Sequence, residues 1–439
     1  MDQEILKQIS EDALKLAKQA GASDAEVDVS FGKGQNVSVR LGETENIEYN
    51  RDKGISVTVF FGHRKGYASS SDFSPQAVKD TVDAACNIAK FTAEDSFFGL
   101  ADASLMAHDF ADLDLYHPWQ LNVEEAGEIA KRCEAKALAV DKRIKNSEGA
   151  SVSTSEGKFV YANTHGFVGG YASSRHSVSC SVIAEEAGAM QRDYWYTNAR
   201  DMHDMATAES VGQLAGERTV RRLGMRPIKT GQYPVLFEAS LASGLISSLV
   251  SAISGGNLYR KSSFLLDSLG KQVASSILNI EELPHLKKGI ASSPFDNEGV
   301  ATKSRMLVEN GVLQGYMLSS YSARKLGLQT TGNAGGSHNL VVQHTNQNFS
   351  NLLKMVGTGL LVTEVLGHGL NMVTGDYSRG AAGFWIEGGV IAHPVEEITI
   401  AGNIKDMLNQ MIAVGNDAVV PSAKQTGSIL IERMTVAAG

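Results

Sequence analysis

The residues with the most chemical potential are Thr363-Glu364-Val365-Leu366-Gly367-His368-Gly369, followed by Thr374-Gly375-Asp376-Tyr377-Ser378-Arg379-Gly380 and, a little further on, Trp385. A helical H-E-x-x-H segment places two imidazoles on one face and a glutamate beside them to activate a metal-bound water. Here Thr363 stands where the first imidazole would be, and Glu364 and His368 are one residue too far apart. The local text also resists a helix. Leu360 to Val365 is rich in strand formers, and each of Gly367 and Gly369 would cost a helix about 1 kcal/mol. The segment reads as a strand entering a polar loop.

Other chemistries fare no better by motif. A catalytic zinc needs three protein ligands and an open fourth position. None of the 11 histidines forms an H-x-x-x-H or H-x-x-x-x-H pair. His338 and His344 alternate in phase with a strand, which sets them about 20 Å apart at ~3.3 Å per residue. No G-x-S-x-G elbow is present, and Asp376 and Ser378 suit a turn held by their own side chains. Gly332 to Gly336 lacks the G-K-S/T ending of a phosphate loop.

The elements that must position these residues are expected in three regions: 1-118, an α+β unit; 119-225, a middle α+β segment packing with it; and 226-439, a β-rich region. The 439 residues are enough for several cores, and the charged fraction of 20% is that of an ordinary globular chain. A net charge of −9 argues against a nucleic-acid partner, because that binding neutralises phosphates with Lys and Arg. The one small basic cluster, Lys142, Arg143 and Lys145, suits a solvated helix end. Cys86, Cys133 and Cys180 form no C-x-x-C pair and read as buried thiols. No membrane span and no apolar signal segment is expected, and the chain reads as cytoplasmic.

Ile5, Ile9, Ala13, Leu16 and Ala20 recur at helical spacing. Strands are expected at Val27 to Phe31, Val37 to Leu41 and Ile55 to Phe61, with Ile47 and Tyr49 leading into a turn at Asp52-Lys53-Gly54. Ser74-Pro75 opens a helix through Val78, Val82 and Ala89. Asn122-x-x-Glu125 is a capping box for the next helix. Ser151 to Ser155 and Phe159 to Ala162 are expected to pair across Glu156-Gly157, and Phe167 to Ser173 with Val178 to Ile183. A helix follows from about Met205 to Leu223. Beyond Ile228 the text is mostly strand and glycine turn, apart from a helix through Leu245, Leu249 and Ile253. Asn310-Gly311 marks a hairpin, and short strands are expected at Val312 to Leu318, Val390 to His393 and Ile398 to Ala401.

Several stretches together resemble the TldD/PmbA peptidase family, historically called modulators of DNA gyrase, and most closely its PmbA (TldE) branch. They are Tyr161-Ala162-Asn163-Thr164-His165-Gly166, Phe295-Asp296-Asn297-Glu298-Gly299, Thr331-Gly332-Asn333-Ala334-Gly335-Gly336, the stretch through Trp385, and Pro394 to Asn403. The likeness covers nearly the whole chain. The TldD branch carries H-E-x-x-x-H on the helix opening its C-terminal domain, and a later cysteine ligand. The corresponding residues here are Phe237, Glu238 and Ala242, so the glutamate remains and both imidazoles are gone. Gln425-Thr426-Gly427-Ser428 stands where relatives often have a cysteine-glycine pair.

The resemblance therefore implies a subunit with no zinc of its own, active only with a TldD-type subunit that holds the zinc and cuts unfolded peptides. Glu364, His368, Gly369, Asp376, Tyr377, Ser378 and Arg379 are the candidates for a surface facing peptide or partner. Two alternatives stay open: a self-sufficient homodimeric peptidase using His338, His344 or His368 from two chains, and a protein-binding regulator, for example of a topoisomerase.

Overall fold

A computed structural model describes residues 1–438. Helix α1 (Gln3–Gln19) leads into strands β1 (Asp24–Arg40), β2 (Glu43–Phe61) and β3 (Arg64–Ser70), and then helix α2 (Pro75–Phe91). After an irregular stretch come α3 (Val123–Leu138), β4 (Ile144–Asn163), β5 (Val168–Glu186), β6 (Ala189–Ala199) and α4 (Ala208–Val220). All six strands form one antiparallel sheet in the order β3-β2-β1-β4-β5-β6.

Three of the expected turns do not exist. β2 runs straight through Asp52-Lys53-Gly54, β4 through Glu156-Gly157, and Phe167 to Ile183 lies on one strand, apart from Phe167 itself, rather than in a hairpin. The cause is visible in the register. Gly32 faces Gly157, and Gly54 faces Ser30. These small residues fall where the helical cover changes. α1 and α2 bury Val27, Val29 and Phe31 on one half of the sheet, and α3 and α4 bury Val37, Val39 and Val152 on the other. The hydrophobic alternation lapses between the two covers, and that lapse imitates a turn. The chain does turn at Asn163 to Phe167, where Gly166 has φ +88°.

The remaining elements are β7 (Gly231–Phe237), α5 (Ala239–Ala252), α6 (Gly255–Tyr259), β8 (Ile280–Leu283), β9 (Arg305–Glu309), β10 (Val312–Leu313), α7 (Ser320–Lys325), β11 (Asn339–Val342), α8 (Phe349–Val356), β12 (Gly359–Leu366), β13 (Asp376–Glu387), β14 (Val390–Asn403), α9 (Ile404–Asn409), β15 (Met411–Val414), β16 (Lys424–Gln425) and β17 (Ile429–Ala438). They make two sheets, β10-β9-β8-β11-β16 and β14-β13-β12-β7-β17-β15. The Asn310-Gly311 hairpin forms, with φ of 48° and 77°. The expected strand from Val312 to Leu318 shrinks to Val312–Leu313, and Val390 to His393 and Ile398 to Ala401 prove to be one strand. The architecture is α+β throughout.

α5 buries Leu245, Ile246, Leu249 and Ile253 in the largest core, shared with β7, β8, β9, β12 and β17. A separate aromatic cluster ties the two parts of the chain together. Phe295 packs against Phe159, Phe167 and Tyr171, on the face of the first sheet opposite the helices. All three cysteines are buried and unpaired. No helix among the described residues is long and apolar enough to cross a membrane.

Candidate functional site

Glu238 is the residue between β7 and α5, and its backbone conformation makes it the N-cap of α5. Its carbonyl accepts from the Leu241 and Ala242 N–H groups, and its own N–H donates to Val362 O at 3.0 Å, fixing the helix start against β12. The side chain does not cap the helix. Arg218, in the last turn of α4, donates Nη1 to Glu238 Oε1 at 3.1 Å and Nη2 to Oε2 at 3.0 Å. Arg221 Nη2 adds a bond to Oε1 at 3.1 Å, and Ser240 Oγ one to Oε2 at 2.9 Å.

The cluster continues outward. Arg218 Nε lies 3.4 Å from Asp193 Oδ2 on β6, and Arg222 spans from Asp193 at 3.8 Å to Glu364 Oε2 on β12 at 2.5 Å. Arg218 also sits 4.9 Å over the Trp195 ring, and Arg221 4.9 Å over Phe384. Three guanidinium groups thus meet three carboxylates where the first sheet adjoins the last. The placement agrees with the helix dipoles: cations gather at the C-terminal end of α4 and an anion at the N-terminal end of α5. Burial pushes the Glu238 carboxyl up, but the Arg218 and Arg221 charges outweigh it and hold the group below the usual carboxylate range.

Two cavities flank this cluster. One of about 60 Å³ is lined by Trp195, Ala239, Ser240 and Ser243 on one side and by Gln425 and Thr426 on the other. The stretch opening α5 and the Gln425-Thr426 stretch, both singled out by the family resemblance, therefore converge in space. A second cleft of about 210 Å³ is lined by Arg192, Asp193, Tyr194, Arg222, Thr363 and Glu364.

The donor set at this place does not fit a zinc ion. Zinc is held by cysteine sulfur, histidine nitrogen or carboxylate oxygen in tetrahedral geometry. Phe237 and Ala242 are buried carbon side chains, and Thr426 offers a hydroxyl. The Glu238 carboxylate already accepts from two guanidinium groups and a hydroxyl. Among the described residues, no group of three or more His, Cys, Asp or Glu side chains is arranged to hold a metal.

The loop candidates divide. Glu364 belongs to the arginine cluster through Arg222. His368, Asp376 and Ser378 are exposed, and Tyr377 is buried beneath them. Gly369 lies against β13, where the Ser378 N–H donates to Gly369 O at 2.7 Å, and Arg379 Nε donates to Gly367 O at 3.0 Å. The turn expected to be held by the Asp376 and Ser378 side chains does not form: both residues lie in β13, and Asp376 accepts from Thr374 Oγ1 at 2.7 Å in the turn ahead of the strand. His338 is buried, with Nε2 2.9 Å from Gly332 O, and His344 is exposed.

Sequence reading missed Arg218, Arg221, Arg222 and Asp193. The signal lay in the spacing: the three arginines fall at i, i+3 and i+4, in the last turn of α4, at its C-cap and in the turn just beyond. The Asp296 and Asn333 stretches have a role of their own. Asp296 Oδ1 accepts from the Glu298 and Val300 N–H groups, and Oδ2 from the Ala334 N–H at 2.9 Å. Asn333 Nδ2 donates to Glu282 Oε1 at 2.7 Å, while Glu282 Oε2 accepts from Arg305 Nε at 2.8 Å. These two stretches are stitched to each other, not to the cleft beside Glu238.

Family models match over three segments: the PmbA/TldA metallopeptidase domain 1 over residues 25–89, the central domain over 116–223 and the C-terminal domain over 230–438. The chain is 52% identical to Metalloprotease PmbA of Escherichia coli O157:H7 over 99% of this chain and 96% of that one. It is 49% identical to the Metalloprotease PmbA homolog of Haemophilus influenzae, over 98% and 96%. The same organism has a Metalloprotease TldD homolog that is 23% identical over 84% of this chain and 80% of its own length. A crystal structure from Bacteroides thetaiotaomicron, described as a modulator of DNA gyrase, superposes with a TM-score of 0.94 at 30% identity, covering 99% of each chain.

Proposed function

Because the chain belongs to the PmbA/TldD metallopeptidase family, we propose that it serves as the zinc-free subunit of a peptidase whose zinc is held by a TldD-type subunit. The observation that carries this reading is the state of Glu238. The general base of a zinc site must face a metal-bound water. Glu238 instead faces Arg218 and Arg221. Two guanidinium groups supply locally the positive charge that a metal would supply in an active relative, and they keep the carboxylate ionised and occupied. The presence of both PmbA-named and TldD-named proteins in Haemophilus influenzae is consistent with a paired arrangement.

In this reading the cleft between Asp193, Arg222, Thr363 and Glu364, with the Gly367 to Arg379 loop, contributes wall and backbone contacts for extended peptide. Strand addition to a sheet edge holds such peptides with little sequence preference. The test is reconstitution. The lone chain is expected to hold no stoichiometric zinc by elemental analysis and to cleave no unfolded peptide. Mixed with a TldD-type chain from the same organism, it is expected to raise peptide cleavage well above that of the TldD-type chain alone. Stoichiometric zinc in the lone chain, or cleavage by it alone, refutes the proposal.

A further inference from the structure

The gap between the two helical covers of the first sheet holds a cleft. Odd-numbered residues of β1 face the helices: Val27, Val29 and Phe31 lie under α1 and α2, and Val37 and Val39 under α3 and α4. Lys33 and Gln35 fall between the covers. The register on both sides of β1 is unbroken here, so Tyr49 and Thr154 flank Gln35, and Arg51 and Glu156 flank Lys33, all on that same face. Trp119, in the stretch leading into α3, supplies a wall, and the cleft measures about 370 Å³. That is within the range of small-molecule sites.

Two groups in the cleft are left without partners by the fold. Gln35 is 9% exposed, and its Nε2 has no hydrogen-bond partner. An unpaired buried amide costs stability, and a carboxamide presents N–H donors beside an acceptor oxygen. Arg51 is exposed, with its guanidinium 5.3 Å over the Phe31 ring rather than in an ion pair among the described residues. Glu156, the one acid lining the cleft, is already held by Lys33 Nζ at 2.5 Å and accepts from Tyr116 OH at 2.6 Å. Lys33 and Arg51 against Glu156 leave the cleft one positive charge in excess, in a chain of net charge −9.

These groups select a ligand. Trp119 and Tyr49 offer ring faces for a planar base to stack on. A glutamine carboxamide matches the donor and acceptor edge of adenine with two hydrogen bonds. A guanidinium fork without a carboxylate suits a phosphate. We propose that the cleft between the two helical covers binds an adenine mononucleotide, with the base edge on Gln35, the ring against Trp119 and the phosphate on Arg51. The proposal rests on this cleft alone and is independent of the reading of Glu238.

The test is calorimetric titration of the purified full chain with AMP, adenosine, GMP and inorganic phosphate. AMP is expected to bind, and adenosine to bind on the order of 10-fold more weakly for want of the charged contact. R51A is expected to reduce AMP to the adenosine affinity and to leave adenosine unchanged. Q35L is expected to weaken AMP and adenosine alike, about 10- to 100-fold, by removing the paired bonds to the base. Q35L is also expected to melt no lower than wild type, because leucine removes an unpaired buried amide; a glutamine kept for structure would melt lower when replaced. Trp119 is the one of three tryptophans that lines the cleft, so quenching of fluorescence by AMP is expected in wild type and not in W119F. Absence of AMP binding at millimolar concentration, adenosine as tight as AMP, or wild-type affinity in R51A or Q35L overturns the proposal. GMP or inorganic phosphate binding as tightly as AMP overturns it as well, because the base edge is then not read.

Discussion

Arg218 grips Glu238 with two parallel hydrogen bonds, Nη1 to Oε1 at 3.1 Å and Nη2 to Oε2 at 3.0 Å, in a setting where both side chains are largely shielded from water. Planar guanidinium and planar carboxylate match in this geometry, and the paired bonds are stronger than a neutral hydrogen bond. The contact joins the end of α4 to the start of α5, and so the helical layer over the first sheet to the core of the C-terminal part.

Removing one member of a buried pair leaves the other charge without compensation, at a cost of about 3–5 kcal/mol. E238A is therefore expected to lower unfolding stability by about that much, because Arg218 and Arg221 stay behind. Urea unfolding at neutral pH measures it. A loss smaller than that of an average surface substitution would mean the arginines find water, and that the pair does not hold the two parts together.

The same pair sets a pH dependence. The Glu238 carboxyl titrates below its ordinary value in the folded chain, so folding favours the ionised form. Its contribution is then complete above the unfolded value of about 4.5 and is lost as pH falls through the lower folded value. Wild type is expected to lose stability on acidification in this range, and E238Q to lose less of it. Parallel denaturation curves at pH 7 and in mild acid compare the two.

His176 predicts a second dependence at milder pH. Its Nδ1 lies 2.8 Å from Thr154 Oγ1 and its Nε2 2.8 Å from His117 O. A neutral ring protonated on Nε2 satisfies both: Nε2–H donates to the carbonyl and Nδ1 accepts from the hydroxyl. Burial lowers its tendency to take up a proton. Its share of stability is present above the unfolded value of about 6.5 and falls away below it. H176Q is expected to be less stable than wild type at pH 8 and to show a shallower decline toward pH 5. The ring's titration by NMR, if it stayed near 6.5, would contradict this.

Legibility in the sequence followed periodicity and failed where packing overrode it. The first helix, the capping box at Asn122 and the Asn310-Gly311 turn depend on neighbours in sequence, and all formed. Asp52-Lys53-Gly54 and Glu156-Gly157 carry turn residues but lie inside strands, because β1 runs between β2 and β4 and fixes both. Phe237, Glu238 and Ala242 stood out only through the family resemblance, and nothing in their own pattern marked them. What Glu238 touches was not legible, because Arg218 and Arg221 come from the end of α4 and meet it only in the folded chain, where Asp193 and Glu364 join the cluster through Arg218 and Arg222.

Asp296 tests whether its signature stretch is structural. Both carboxylate oxygens accept backbone N–H groups, from Glu298, Val300 and Ala334. An asparagine there keeps one acceptor and turns an NH₂ group toward a donor. D296N is expected to cost about 1–3 kcal/mol, the penalty of an unsatisfied buried group. It should leave the arginine cluster undisturbed, so a double variant with E238A is expected to lose the sum of the two single effects. Strong non-additivity in unfolding would show that the two networks are coupled.

The loop ahead of β13 separates a structural role from a functional one. At Gly369 a Cβ would stand 1.6 Å from Ser378 O, a backbone atom, so G369A must push the loop off β13 and break the Ser378 N–H bond to Gly369 O. His368 beside it is exposed, and H368A is expected to change stability by no more than about 0.5 kcal/mol, as surface substitutions do. If the loop lines a peptide path, G369A reduces peptide cleavage by the reconstituted complex while both variants keep their affinity for the TldD-type chain. Cleavage unchanged in G369A, with hydrogen exchange showing the loop released, would remove Gly367 to Arg379 from the peptide surface and leave the cleft at Asp193 and Glu364 as the remaining candidate.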